Sequence, residues 1–293
     1  RDDGGRMMAA PASLPTAAAI GDGWSASLAL VFERRAQGTV LAHVRHSGPL
    51  TVQRARYPEG RDACHAVVVH PPGGVAGGDT LDVDIAVRDR AHAVLTMPGA
   101  AKFYRCATAP SRQRIALRVA EGAIVEWLPP ETIVFDGARA SATLDLDLAH
   151  DAVAIGWDIV ALGRRARGEA FAQGRWRQRL NIRRGGVPVV DDTLDLRGDD
   201  NWLRSRVGLR GHRVVATMFA AGSGIDEALL ASCRDAAGES PRIGLTMPVR
   251  GLMMIRCLAD EAEQARDAFI AIWRRLRPAL TGLDPQPLRL WAT

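Results

Sequence analysis

The sequence predicts a mostly β protein whose few helices fall in its last third. Three observations carry that expectation. From Trp24 to about Leu196 apolar and polar residues alternate, as in 81–87, where Leu81, Val83, Ile85 and Val87 interleave with Asp82, Asp84 and Ala86. A period of two places one face of a strand in a core and the other in water. Turns bearing Gly or Pro separate many of these runs at the spacing of an all-β architecture. After about residue 222 the period lengthens to that of helices.

Residues 1–22 are rich in Ala, Pro and Gly and are expected to form a disordered tail. They lack the basic stretch and apolar core of a signal peptide. Strand-like runs follow at 27–32, 40–44, 66–69, 81–87, 93–96, 115–119, 123–127, 144–148, 155–161 and 176–182. The spacing then predicts a helix over 225–237, with Leu229, Leu230 and Cys233 on one side and Gly238 and Pro241 as stop signals. Residues 246–257 read as one further strand. A second helix is predicted over 260–276, where Ala265, Ala268, Phe269, Ile272 and Leu276 form an apolar stripe that Pro278 would close. No internal repeat stands out, so residues 23–293 read as one domain.

Composition narrows the function classes. The chain is 47% apolar and 24% charged, the balance of a soluble globular protein. Its net charge of +5 comes from arginines scattered along the sequence, with Lys102 the only lysine, which argues against a nucleic-acid surface. No apolar run reaches membrane-spanning length. Cys64, Cys106, Cys233 and Cys257 lie far apart with no Cys-x-x-Cys pair, which fits a reducing cytoplasm.

Four segments stand apart. Residues 70–79 read His-Pro-Pro-Gly-Gly-Val-Ala-Gly-Gly-Asp, a shaped turn with His70 and Asp79 at its ends. No Gly-Lys-Ser/Thr follows and the next run is a strand, so this is neither a P-loop nor a dinucleotide fingerprint. Residues 96–105 run from Thr96 through Pro-Gly-Ala to Lys102, two aromatics and an arginine, with Cys106 next. Residues 126–136 hold carboxylates at Glu126, Glu131 and Asp136 among apolar residues and two prolines. An acid such as Glu131 is expected to be partly buried there and to need a proton, an arginine or a metal. Residues 162–169 place Arg164, Arg165 and Arg167 before Glu169.

None of these is a recognised hydrolase or metalloprotease signature. The histidines show no helical ligand spacing; His43 and His46 sit three apart in a strand pattern. A tight permanent metal site is not expected. Weak ligation by Asp and Glu oxygens would suit passage of an ion better than its retention.

Taken in order, the four segments resemble the urease accessory protein family UreD, called UreH in some species. The resemblance covers roughly residues 24–222 and is looser beyond. It implies an irregular helical winding of many short strands and a non-enzymatic scaffold. Its partners would be apo-urease and UreF directly, and the GTPase UreG through UreF, with no nucleic acid or membrane involved. It also implies help in delivering nickel(II) to urease through an internal channel, with no permanently bound cofactor. The matching positions are Asp79, Glu131, Asp136 and Glu169 as a transient nickel path, with His70, Thr96, Lys102 and Cys106 beside it. Pro130 stands where the family more often has Gln, and Cys106 where Ser is common.

Two other readings stay open. The carboxylates can be structural, paired with Arg164, Arg165 and Arg167, leaving a pure adaptor between UreF and urease. A carbohydrate-active or hydrolytic β enzyme would instead need one deep pocket with two carboxylates at hydrolase spacing.

Overall fold

The computed structural model describes residues 23–107, 109–238 and 242–292; the tail expected over 1–22 and Pro241 lie outside them. Alternation is realised as seventeen strands. They are β1 (Ser25–Arg35), β2 (Gly38–Ser47), β3 (Thr51–Val52), β4 (Ala63–Val69), β5 (Thr80–Val87), β6 (His92–Thr96), β7 (Ala101–Phe103), β8 (Ser111–Val119) and β9 (Ile124–Trp127). Then come β10 (Thr132–Val134), β11 (Arg139–Leu148), β12 (Val153–Leu162), β13 (Arg175–Arg184), β14 (Val187–Arg197), β15 (Val214–Ala221), β16 (Arg242–Val249) and β17 (Leu252–Ala259). The helices are α1 (Glu227–Ala237) and α2 (Ala262–Thr281).

The chain winds between two sheets. One sheet runs β14-β13-β11-β8-β5-β1-β2, and the other runs β16-β17-β15-β12-β9-β6-β4-β3. Strands β5, β8, β11 and β13 lie parallel in the first sheet, and β4, β6, β9 and β12 lie parallel in the second. Each coil therefore visits both sheets, giving the irregular β winding that the sequence resemblance implied. Hairpins β13–β14 and β16–β17 and the antiparallel partners of β15 end the winding.

This architecture is periodic although the sequence shows no repeat. The short turns after β5, β8 and β11 each end on a fully buried alanine, Ala91, Ala123 or Ala152. Successive turns are bonded to each other, as in Ile124 N to Ala91 O and Val153 N to Ala123 O, both 2.9 Å. Only the small residue at the corner is held constant, because only the backbone approach demands it. The rest of each coil is free to vary, so self-similarity is lost from the sequence.

The inner faces of the sheets enclose one apolar core containing Phe32, Phe103, Trp127 and Trp176. Residues of the opposite parity on the second sheet, among them Trp157, Ile159 and Met218, pack under α1 and α2. Burying each such side chain contributes about 1.5–3 kcal/mol, so the sheet carrying β12 is apolar on both faces and any charge in it stands out.

Two sequence expectations need correction. Residues 246–257 are not one strand but most of the β16–β17 hairpin, which turns at Arg250 and Gly251, with Gly251 at φ +76. Pro248 is accommodated because β16 is the sheet edge and its register shifts between Thr246 and Val249. Helix α2 does not stop before Pro278 but runs to Thr281, with Pro278 in its last turn. The end is set by Gly282, left-handed at φ +71, whose N–H bonds Pro278 O at 3.1 Å. Arg277, buried beside Pro278, holds that turn in place.

Candidate functional site

The four segments singled out in the sequence are four successive corners at one end of the winding: 70–79, 97–106, 128–138 and 163–174. They stack because the strands leading into them are parallel. Val75 N bonds Lys102 O at 2.7 Å and Tyr104 N bonds Val75 O at 3.0 Å. Ala101 N bonds Glu131 O at 3.1 Å, and β7, β10 and β12 pair in parallel. Gly163 N bonds Val134 O at 2.7 Å, and Gly137 N bonds Gln173 O at 3.0 Å. Residues far apart in sequence thus form one wall.

Within that wall the carboxylates are occupied. Asp79 accepts from the backbone N–H groups of Ala76 and Trp24, both at 2.8 Å, closing the glycine-rich turn on the start of β1. Asp136 accepts from Ala172 N and Gln173 N at 2.8 Å each, and from Arg105 at 3.2 Å. Glu169 accepts from Asp136 N at 3.1 Å and is paired with Arg164, whose guanidinium stacks over Phe135 at 4.4 Å. The bond from Arg164 holds the Glu169 carboxyl below the usual carboxylate range. Glu131 faces Arg266 of α2 at 3.5 Å. Asp136 and Glu169 are brought together; Asp79 and Glu131 stand apart, each with its own partners. Of the three arginines expected as carboxylate partners, Arg164 takes Glu169, while Arg165 pairs with Glu261.

The path-adjacent residues divide. His70 and Lys102 both border a cavity of about 240 Å³, with Gly73, Gly74, Met97 and Trp127. Burial pushes the His70 imidazole below its ordinary value, against the opposing charge of Asp79. The buried indole N–H of Trp127 has no hydrogen-bond partner among the described residues. Thr96 instead faces the helices, donating to Leu128 O at 2.7 Å. The Cys106 thiol is turned onto Ala109 O at 2.7 Å.

Between the two sheets lies a second, half-buried constellation that alternation alone did not single out, with Arg256 at its exposed end. Asp158 on β12, Thr217 on β15 and Arg256 on β17 lie in one cross-strand row. They project with the inward-facing residues of those strands toward Gln178 on β13 and Asp192 on β14, and all five line a cavity of about 20 Å³. A space of that size holds about one water. Gln178 donates to Asp158 at 3.2 Å, Arg256 pairs with Asp192 at 2.7 Å, and Thr217 accepts from Arg256 at 3.5 Å. Asp158 has no cation of its own. Desolvation pushes its carboxyl up to about 7, only partly offset by the Gln178 amide. The signal was present: Asp158 is the one charged residue in the ten of β12.

On the opposite face of the same sheet a third group is completely buried. Glu126 accepts from Trp273 Nε1 at 2.7 Å and Arg277 Nε at 3.1 Å, and its Oε1 lies 2.9 Å from His92 Nε2. Arg277 also donates to Glu59 at 3.0 Å through its second amino group and to Asp284 O at 2.6 Å. His65 Nε2 lies 2.7 Å from Glu59, out of line with a ring N–H, so this is a charge contact and not an aligned hydrogen bond. Burial opposes ionisation of Glu59, but His65 and Arg277 outweigh it and draw its carboxyl down to about 2.

Among the described residues no group of three or more His, Cys, Asp and Glu side chains is placed to chelate a metal.

Comparison with known proteins decides the family. The profile described as UreD urease accessory protein matches residues 25–292. The chain belongs to the UreD family. It is 45% identical over 270 residues to a protein of Nitrosococcus oceani named urease accessory protein UreD, covering 92% of this chain and 90% of that one. Its likeness to the namesake from Pseudomonas fluorescens is 46% over 282 residues, 96% of this chain and all of the relative. A third UreD relative, from Pseudomonas paraeruginosa, is 46% identical over 270 residues, 92% of this chain and 95% of its own. Membership in the UreD family makes urease maturation the process in which the chain takes part. Among the described residues no helix is long and apolar enough to cross a membrane.

Proposed function

We propose that the chain is a non-enzymatic, cytoplasmic scaffold that binds apo-urease and UreF, and through UreF the GTPase UreG, and that nickel(II) in transit to urease passes between its two sheets. The observation that carries this reading is the half-buried polar row of Asp158, Gln178, Thr217 and Asp192, which runs from the exposed Arg256 to the edge of the apolar core between the two sheets. A buried carboxylate with a single amide donor is costly to retain. Its cost is offset if a divalent cation visits. Oxygen ligands met singly let such an ion both enter and leave. In this route Asp136 and Glu169 stand together in the corner wall, with His70 and Lys102 at the neighbouring cavity, while Asp79 and Glu131 keep partners of their own, Thr96 faces the helices and Cys106 is turned onto Ala109 O.

The test is nickel counting after the full chain is assembled with UreF, UreG and apo-urease. Asp158→Asn and Asp192→Asn are expected to lower nickel delivered to urease while the complex still co-purifies. Full nickel content with both variants would remove the ion path. A second reading, a pure adaptor, is favoured by the occupied lone pairs of Asp79, Asp136 and Glu169. On that reading Asp136→Ala and Glu169→Ala lower thermal stability and leave nickel per assembled complex unchanged.

A further inference from the structure

The connection from β14 to β15 is the last to cross between the sheets, and it lies beside the corner wall: Gly198 N bonds Gly174 O at 3.2 Å and Leu162 N bonds Arg213 O at 2.8 Å. We propose that residues 199–212 form a preformed knob that docks into an acidic protein surface with an apolar cleft. This goes beyond the ion path and uses none of the carboxylates placed on it.

Two observations point to a partner. At the knob Trp202 is 42% exposed, and Val207, at 80%, is the most exposed large apolar side chain among the described residues. Around them Arg204, Arg206 and Arg210 are exposed, and none makes an ion pair among the described residues. Some strand arginines are matched, as Arg114 is by Asp145 and Arg179 by Asp191, while Arg45, Arg112 and Arg139 are exposed and make no ion pair among the described residues, so what sets the knob apart is that its three arginines surround Trp202 and Val207. Three unmatched guanidinium groups around Trp and Val give the charge an acidic partner would complete. Trp and Arg are also the residue types that most often anchor interfaces.

The loop is built to hold that shape. Asp200 accepts from Trp202 N at 2.9 Å, Leu209 N bonds Trp202 O at 3.1 Å, Arg210 N bonds Ser205 O at 3.0 Å, and Gly211 N bonds Leu203 O at 2.8 Å. Leu209 is buried and anchors the base. Arg210 is held at φ +56, a conformation that costs a non-glycine residue energy, and its side chain is exposed. A Cβ at Gly208 would meet Trp202 O at 2.1 Å, so the backbone closes directly on the tryptophan. Such ordering before contact lowers the entropy lost on binding. A protein fits better than the alternatives. One tryptophan is not a stacking platform for bases, and an aliphatic valine at the tip has nothing to offer a phosphate. The loop also lacks the helical apolar face that lies in a membrane interface.

The experiment titrates the full chain separately with purified apo-urease and purified UreF, and with a DNA duplex and phosphatidylserine vesicles as controls. One of the two proteins is expected to bind, more weakly as salt rises. Val207→Asp and the pair Arg204→Glu, Arg206→Glu should each weaken that binding by about tenfold or more, with unchanged melting of the free chain. Trp202→Ala should act in the same direction. Wild-type affinity of these variants for both proteins would overturn the proposal, as would loss of DNA or vesicle binding in place of protein binding. No nickel enters this readout, so it stands or falls apart from the ion path.

Discussion

The two faces of the sheet that carries β9 and β12 bury acids in opposite ways. On the helix side, Glu126 and Glu59 share Arg277, with His92, His65 and Trp273 closing the remaining positions. On the sandwich side, Asp158 has one amide and a small cavity. The first site is fully enclosed and saturated; the second is half-buried and is not saturated. A saturated cluster resists change because removing any member strands a charge. An unsaturated one is sensitive to protons and ions, since either improves its position. Burial of a carboxylate is therefore no guide to its role until its partners are counted.

The contrast can be broken most forcefully at Arg277. Arg277→Met leaves two buried carboxylates without their shared cation and should cost roughly 3–5 kcal/mol of unfolding free energy, measured in denaturant. A loss below about 1 kcal/mol would mean the cluster is not what ties α2 to the sheet.

The next effect is a difference in sign with pH. Glu59 is drawn from 4.5 to about 2, so its contribution is present above 4.5 and is lost as pH falls toward 2. Asp158 is raised from 3.8 to about 7, so its native state favours the proton; that contribution is full below 3.8 and fades as pH rises to 7. Asp158→Asn should raise the melting temperature at pH 8, by at most about 4 kcal/mol in free energy, and change little near pH 4. Glu59→Gln should instead flatten only the acid limb. Matching pH profiles for the two variants would erase the distinction between the faces.

A smaller loss is expected in the corner wall. Asp136→Ala hands the N–H groups of the exposed Ala172 and Gln173 to water and should cost about 0.5–1.5 kcal/mol, read by thermal melting and by faster hydrogen exchange at those two amides. The smallest effect belongs to the outer face of the first sheet. There Arg179→Ala removes an exposed pair with Asp191 and should stay within about 1 kcal/mol by the same melt.

Much of this was legible from residue order. Alternation exposed the strands, and the apolar stripe of α2 fell where its buried residues lie. The four segments are the corners of one wall because a winding chain returns to the same edge once per coil. What alternation did not show was which acid matters on each face. Glu131 is partly buried and faces an arginine, as its setting led us to expect, but Glu126, five residues earlier, is the acid that is fully enclosed. Its cation comes from the far end of the chain, which no local pattern displays. Asp158 was hidden for another reason: in a strand apolar on both faces, a single Asp does not disturb the reading of the strand.

The pairing of Glu59 with Arg277 spans 218 positions. During synthesis the coils can close one after another as they leave the ribosome, but Glu59 and Glu126 wait for their counterion until almost the whole chain is out. A chain truncated before α2 would carry the complete winding and an outer face it cannot seal. Long-range closure of this kind is slow, so the nascent protein passes through a stage in which the helix-side apolar residues are uncovered and dependent on protection by other molecules.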